Sequence, residues 1–238
     1  MGSGARLYAD AVSDAIARAE HLAPAEAVEM LSAARQGAAD RVDLLVTLSR
    51  ASSDLVDAQA KKKKTADAGK SAKSAVETAE RAVQLAPKNA EAHLALAIAC
   101  GKLTDYVDNS TKMQLSRRIR DEAEATIALN PRSDLAYHIL GRWNYGIATL
   151  NPVLKLAARM AYGALPPASL EKAATLLEEA AALKPQRVMH HQHLAVVYRA
   201  MSKKEKATEQ WKLVLQLPAA DADDEEAKKE ARSALGNH

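Results

Sequence analysis

Apolar residues recur every three to four positions along almost the whole chain, with charged and polar residues between them. That period marks amphipathic helices, because residues i, i+3, i+4 and i+7 fall on one helix face. The pattern predicts helices over residues 5–21, 24–36, 40–60, 67–86, 90–105, 110–129, 133–149, 152–162, 168–183, 188–201, 203–216 and 222–235. No segment alternates apolar and polar residues in the strand manner. Four prolines each follow an apolar helix end: Leu85-Ala86-Pro87, Leu129-Asn130-Pro131, Leu183-Lys184-Pro185 and Leu217-Pro218. Proline lacks the N–H donor and clashes with the preceding turn, so each one ends a helix. The expectation is an all-α chain of short helices joined by tight turns.

The prolines lie 44, 54 and 33 residues apart. A tetratricopeptide unit, a helix–turn–helix, repeats every ~34 residues. The first two spacings exceed that period by about 10 and about 20 residues, so insertions are expected between the two helices of those units. The unit after Pro131 reads Tyr137-x2-Leu140-Gly141-x2-Asn144, then Ala173-x3-Leu177-x2-Ala180. The unit after Pro185 reads His191-x2-Leu194-Ala195-x2-Tyr198, then Ala207-x3-Trp211-x2-Val214. The unit after Pro87 begins His93-x2-Leu96-Ala97-x2-Cys100 and continues, less regularly, with Ile119, Ala123 and Thr126. Ala75, Ala79 and Ala82 fit a second helix whose partner carries Leu44, Leu45 and Leu48. The physical basis is close approach: two helices meet tightly only where Gly or Ala faces Ala, and stacked units then share a continuous core. The expected architecture is a tetratricopeptide-like right-handed α-solenoid of antiparallel helix pairs with inserted helices. An N-terminal helical extension is expected over 1–37 and the repeat domain over 38–236.

Composition narrows the function. The 33 basic and 30 acidic residues leave a net charge of +3, too balanced for a nucleic-acid surface. The single cysteine, Cys100, excludes an intrachain disulfide and occupies a repeat core position. No run approaches the ~18 apolar residues of a membrane span. Asp10, Asp14 and Glu20 speak against a targeting peptide, and Arg6 stands where an N-myristoylation signal requires Ser or Thr.

The segment His138-Ile139-Leu140-Gly141-Arg142-Trp143 resembles a signature of the regulator of microtubule dynamics family. In that family an extra helix and a proline-rich turn follow, matched here by Pro152–Tyr162 and by Leu165-Pro166-Pro167-Ala168-Ser169-Leu170. Asn89-Ala90-Glu91-Ala92-His93, Lys203-Lys204-Glu205-Lys206-Ala207 and the acidic run Asp223-Asp224-Glu225-Glu226 fit as well, so the resemblance covers about residues 40–236. It implies a non-enzymatic interaction scaffold associated with microtubules. The expected partner is tubulin or a microtubule-associated complex, in the cytoplasm, on the cytoskeleton, or in a cilium or axoneme. A soluble lipid-binding or general peptide-adaptor module is the alternative. In that alternative, helix 152–162 covers an apolar pocket through Pro152, Leu154, Leu156 and Met160. The hydrophobic N-terminal segment of membrane-anchored members has no match in these residues, so no transmembrane anchor is expected.

In tetratricopeptide repeats the inner helix presents fixed positions to a concave groove. Transferred to this chain, they include Lys102, His138, Arg142, Tyr145, Gln192 and Arg199. The cations among them imply an acidic or extended partner segment, since guanidinium grips carboxylate with two parallel hydrogen bonds. Lys61, Lys62, Lys63 and Lys64 form the densest basic patch, expected in an inserted loop. Gly69-Lys70-Ser71 ends like a phosphate-binding loop, but Lys64 stands where the motif needs Gly and no strand precedes it. His190, His191 and His193 offer imidazoles without an evident further ligand, so packing is expected rather than a metal. No catalytic arrangement and no cofactor are expected.

Overall fold

The computed structural model describes residues 2–36, 41–163 and 167–236. Every extended element described is helical, and the twelve α-helices match the periodicity to within about three residues at their ends. The chain divides into two compact units, residues 1–129 and 130–238. The expected boundary at 37/38 and the residues Leu165 and Pro166 of the expected proline turn lie outside the described residues.

The first unit holds α1 (Gly2–Ala19), α2 (Pro24–Arg35), α3 (Val42–Lys61), α4 (Thr65–Leu85), α5 (Ala90–Leu103), a short 3-10 turn (Thr104–Tyr106) and α6 (Asn109–Leu129). Helix α3 pairs with α4, and α5 with α6. Leu45 and Val46 of α3, Ala75, Ala79 and Ala82 of α4, and Leu96, Ala99 and Cys100 of α5 share one core. Ala75, Ala79 and Ala82 are fully buried, so these alanines are where the helices meet. The Ser49 hydroxyl on α3 reaches across to donate to the Ala75 carbonyl at 2.9 Å, satisfying a polar group inside the pair. Helices α1 and α2 continue the stack: Val12, Ala27 and Leu31 close on Leu44, Leu48 and Ala51 of α3. The excess residues of the second repeat become the 3-10 turn and a 21-residue α6. Gly69 lies inside α4 with its Cα hydrogens facing Tyr106, so it forms no phosphate loop.

The second unit holds α7 (Asp134–Ala148), α8 (Pro152–Tyr162), α9 (Leu170–Leu183), α10 (Val188–Ala200), α11 (Lys204–Gln216) and α12 (Ala222–Gly236). Helix α7 pairs with α9, skipping α8, and α10 pairs with α11. The long spacing between Pro131 and Pro185 is thus an inserted helix with its connectors. Ala173, Leu177, Leu194, Val197 and Tyr198 form one core. Trp211 and Val214 pack with Val188, Ala195, Ala227 and Ala231 to seat α12 as the closing helix.

Local chemistry sets the helix ends. Asn89, Asn151, Ser169 and Asp221 accept hydrogen bonds from first-turn N–H groups of α5, α8, α9 and α12. Ala86 and Lys184, each before a proline, leave the helical region with φ of −140° and −139°. The turn is then fastened from the next helix. His93 Nε2 lies 3.0 Å from the Pro87 carbonyl, and its Nδ1 meets Glu122 of α6. His191 repeats the arrangement with the Pro185 carbonyl at 2.9 Å and Gln210 of α11 at 2.8 Å. Both stand where the repeat consensus has Trp. Asn144, where the consensus has Tyr, instead donates to the Leu140 carbonyl of its own helix.

Gly141 is the tightest approach. A Cβ there would lie 2.6 Å from Leu177 Cγ and 3.3 Å from the Ala173 carbonyl oxygen. A Cβ at Gly101 in α5 would meet nothing within 4 Å. Gly141→Val is therefore expected to destabilise the protein by about 1–3 kcal/mol through overpacking, whereas Gly101→Ala gains up to about 1 kcal/mol of helix propensity. Urea unfolding of both variants checks the pair; equal effects would contradict the packing assigned to α7 and α9.

Candidate functional site

In the first unit the predicted groove lysine is neutralised. Lys102 Nζ lies 2.6 Å from both Asp57 carboxylate oxygens, and Arg50, also on α3, pairs with Glu91 of α5. Asp54, one turn from Asp57, is held above the usual carboxylate range, by burial first and the Asp57 charge second. The lysine run lies at a tight turn rather than an inserted loop. Lys61 ends α3, Lys63 takes φ of +57°, and Lys64 precedes α4, with all four side chains exposed. Cys100 is buried and its thiol is pushed up to about 12, mainly by desolvation, so it is an inert core residue.

In the second unit a cavity of about 380 Å³ opens between α7, α9, α10 and α12. Leu177, Val196 and Val197 supply apolar wall, and Arg142, Tyr145, Gln192, His193 and Glu230 supply polar groups. Three residues that the repeat register assigns to the groove, Arg142, Tyr145 and Gln192, therefore line one hollow. Arg142 is exposed, and Gln192 is fixed by donating to Glu230 at 2.8 Å. Arg199 is exposed on the last turn of α10.

His138 is not at the surface. It is 1% exposed and belongs to a buried chain of polar groups that begins at Asp134. His190 Nε2 donates to Asp134 Oδ2 at 2.9 Å, and the Arg187 guanidinium reaches the same oxygen at 2.9 Å. With its proton on Nε2, neutral His190 accepts at Nδ1 from His138 Nδ1 at 2.9 Å. The proton assignments leave His138 Nε2 a bare acceptor, buried with no hydrogen-bond partner. The His193 ring stands edge-on to His138 at 4.8 Å and donates from Nδ1 to the Met189 carbonyl. Burial lowers all three imidazoles. His138 falls well below the usual range, with His193 and His190 adding to the effect, and His190 falls against the pull of Asp134. His193 drops to about 4 through desolvation and then the Arg142 charge. They are neutral side chains at physiological pH, tying α7 to α10.

The chemistry open to this cluster is limited. Its terminal nitrogen is sealed from solvent, so it cannot serve a substrate. Among the described residues, no group of three or more His, Cys, Asp or Glu is placed to hold a metal ion. His191, adjacent in sequence, belongs to the Pro185 turn instead. The pairing of His138 with His190 spans 52 residues and crosses the inserted helix. The only signal for it was the shared repeat register of α7 and α10.

Paired antiparallel helices with Gly or Ala at the contacts define a tetratricopeptide-type repeat protein. Solved structures agree on the fold: a thermophilic tetratricopeptide protein of Thermus thermophilus superposes with a TM-score of 0.64 at 16% identity, over 96% of this chain and 98% of that one. MamA (residues 41 to the end) of Desulfovibrio magneticus does so with a TM-score of 0.55 at 19% identity, over 91% and 96%. The family described as Regulator of microtubule dynamics protein 1-3 matches residues 11–237, and the chain belongs to it. Regulator of microtubule dynamics protein 3 of Xenopus laevis is 30% identical over 79% of this chain and 40% of its own length. Protein 2 of Homo sapiens is 25% identical over 88% and 51%. The chain spans about half the length of the curated relatives it matches, or less.

The histidines give stability a defined acid limb. His193 has a folded value of about 4 against 6.5 unfolded, so above pH 6.5 neither state holds the proton. Between the two values the unfolded chain binds one more proton, and stability falls with pH by about 1.4 kcal/mol per unit for this residue. His138 and His190 shift in the same direction and steepen the limb. Denaturant unfolding from pH 7.5 to 4.5 is expected to show the decline, and His193→Gln is expected to reduce its slope by about one proton.

Proposed function

We propose that the chain is a non-enzymatic protein-interaction scaffold associated with microtubules, and that the hollow of the second unit receives an acidic, extended partner segment. The observation that carries this reading is the convergence of Arg142, Tyr145 and Gln192 on one cavity, with Arg199 on the same helix as Gln192. Family membership supplies the microtubule link, because the relatives are named as regulators of microtubule dynamics. The C-terminal tail of tubulin has the required chemistry. It is an extended, carboxylate-rich peptide, which a guanidinium can grip through two parallel bonds while Tyr145 and Val196 contact its stem. A microtubule or a complex built on it is then the partner, and the cytoskeleton the place, whether cytoplasmic, ciliary or axonemal. Lys102 takes no part, since Asp57 cancels its charge, and His138 acts from behind the wall by holding α7 against α10. The lysine turn 61–64 adds a second contact of a different kind, a long-range attraction toward an acidic lattice.

Co-sedimentation with microtubules tests both parts. The Arg142→Ala/Arg199→Ala double variant is expected to bind at least about tenfold more weakly, in line with charge-assisted hydrogen bonds of ~1.5–3 kcal/mol. Unchanged binding removes the hollow from the mechanism. Glutamine at Lys61–Lys64 is expected to flatten the salt dependence of binding while leaving the hollow intact.

A further inference from the structure

Helix α8 (Pro152–Tyr162) is well begun yet, among the described residues, is not packed extensively against another helix. Asn151 Oδ1 accepts from the N–H groups of Val153 and Leu154 at 2.7 and 3.2 Å, and Pro152 occupies the first turn. Lys155 reaches back to donate to the Ala148 carbonyl at 2.8 Å, fixing the helix to the end of α7. Its neighbours α7 and α9 pack on each other, and among the described residues α8 makes no extensive contact with either. Val153, Leu154, Leu156 and Met160 are 72%, 56%, 60% and 80% exposed, and they are four of the five large hydrophobic side chains so exposed among the described residues. At about 100° per residue Val153, Leu156 and Met160 share one face, Arg159 borders it, and Leu154 and Lys155 lie across the helix. The helix contains these two cations and no acid. None of its residues lines the cavity of the second unit, so it does not serve as that cavity's cover.

We propose that α8 is a peripheral membrane contact that lies in the headgroup layer of an anionic lipid bilayer. An isolated helix with an apolar face and a cationic remainder suits that layer, where acyl chains take the apolar side chains and lipid phosphates and carboxylates meet the cations. Charge decides against a second copy of the chain on the same face. Pairing α8 with itself brings Arg159 of both copies to the margin of the shared face with no acid in either helix to offset them, whereas a bilayer supplies the counter-charge to each. A single eleven-residue helix gives weak, reversible binding rather than anchorage. Among the described residues no helix is long and apolar enough to cross a membrane, so contact by α8 is of the surface kind.

Vesicle flotation of the whole chain tests this. Vesicles of phosphatidylcholine with phosphatidylserine are expected to carry the protein at least about tenfold better than phosphatidylcholine alone, and added salt is expected to reduce the difference. Leu156→Asp/Met160→Asp is expected to lose at least about tenfold of the partitioning, with an unchanged melting temperature because both side chains are exposed. Arg159→Glu is expected to remove the preference for the anionic vesicles. The Arg142→Ala/Arg199→Ala variant is expected to float as the unaltered chain does, which separates this contact from the hollow. Failure to float on phosphatidylserine vesicles, or equal flotation of Leu156→Asp/Met160→Asp, overturns the proposal. So does a dimer by light scattering that this double substitution converts to monomer, since a second copy would then cover the face.

Discussion

The close approach of paired helices is the constraint on which the rest depends. At α7 and α9 it leaves no room for a single Cβ at position 141, and at α3 and α4 the buried alanines 75, 79 and 82 play the corresponding part. Small residues at the contact line bring the backbones together, and the larger ones beside them, Leu96, Leu177 and Trp211, are then left to fill the space toward the next helix. Core and stacking direction follow from the same geometry.

Much of the fold was readable because it is local or periodic. Proline stops and the three-to-four-residue rhythm act over one or two turns of helix, and they located the twelve helices of the described residues. The Ala-x3-Trp step from Ala207 to Trp211 and the Gly141–Ala173–Leu177 contact followed from the repeat register. The charged contacts were not readable in the same way. Lys102 and Asp57 are 45 residues apart and meet only because α3 and α5 lie side by side. His138 was assigned to the groove by register, yet its ring turns inward, because His190 and Asp134 offer it and its neighbour hydrogen bonds inside the helix pair. A histidine at a polar position carries no mark of which way it will turn. The lysine run read as a loop for a related reason: four consecutive cations have no apolar periodicity, although one of them continues α3 and only a short turn separates it from α4.

Charge plays two roles in each unit. In the first, cations and anions on different helices pair off, as at Lys102–Asp57, Arg50–Glu91 and Arg118–Glu80, while Lys61–Lys64 stay exposed at their turn. In the second, the ion pair of Arg187 with Asp134 is committed to the buried histidines, while Arg142 and Arg199 remain at the surface. Charge thus braces helices within each unit, and each unit also carries exposed cations. Neither role is visible in a net charge of +3.

The helix pair α7–α9 closes across residues 149–169, where an ordinary repeat needs only a short turn. Chain closure entropy rises only with the logarithm of loop length, so lengthening the connection about fivefold costs roughly 1–2 kcal/mol. One well-packed small-residue seam is enough to bear that. The turn between the two helices of a repeat is therefore a place where new sequence can enter almost free of consequence for folding, while the Pro185 turn, clamped by His191 from the following helix, tolerates little. Lineages that keep the seam and vary the connector would change what the scaffold touches without changing what it is.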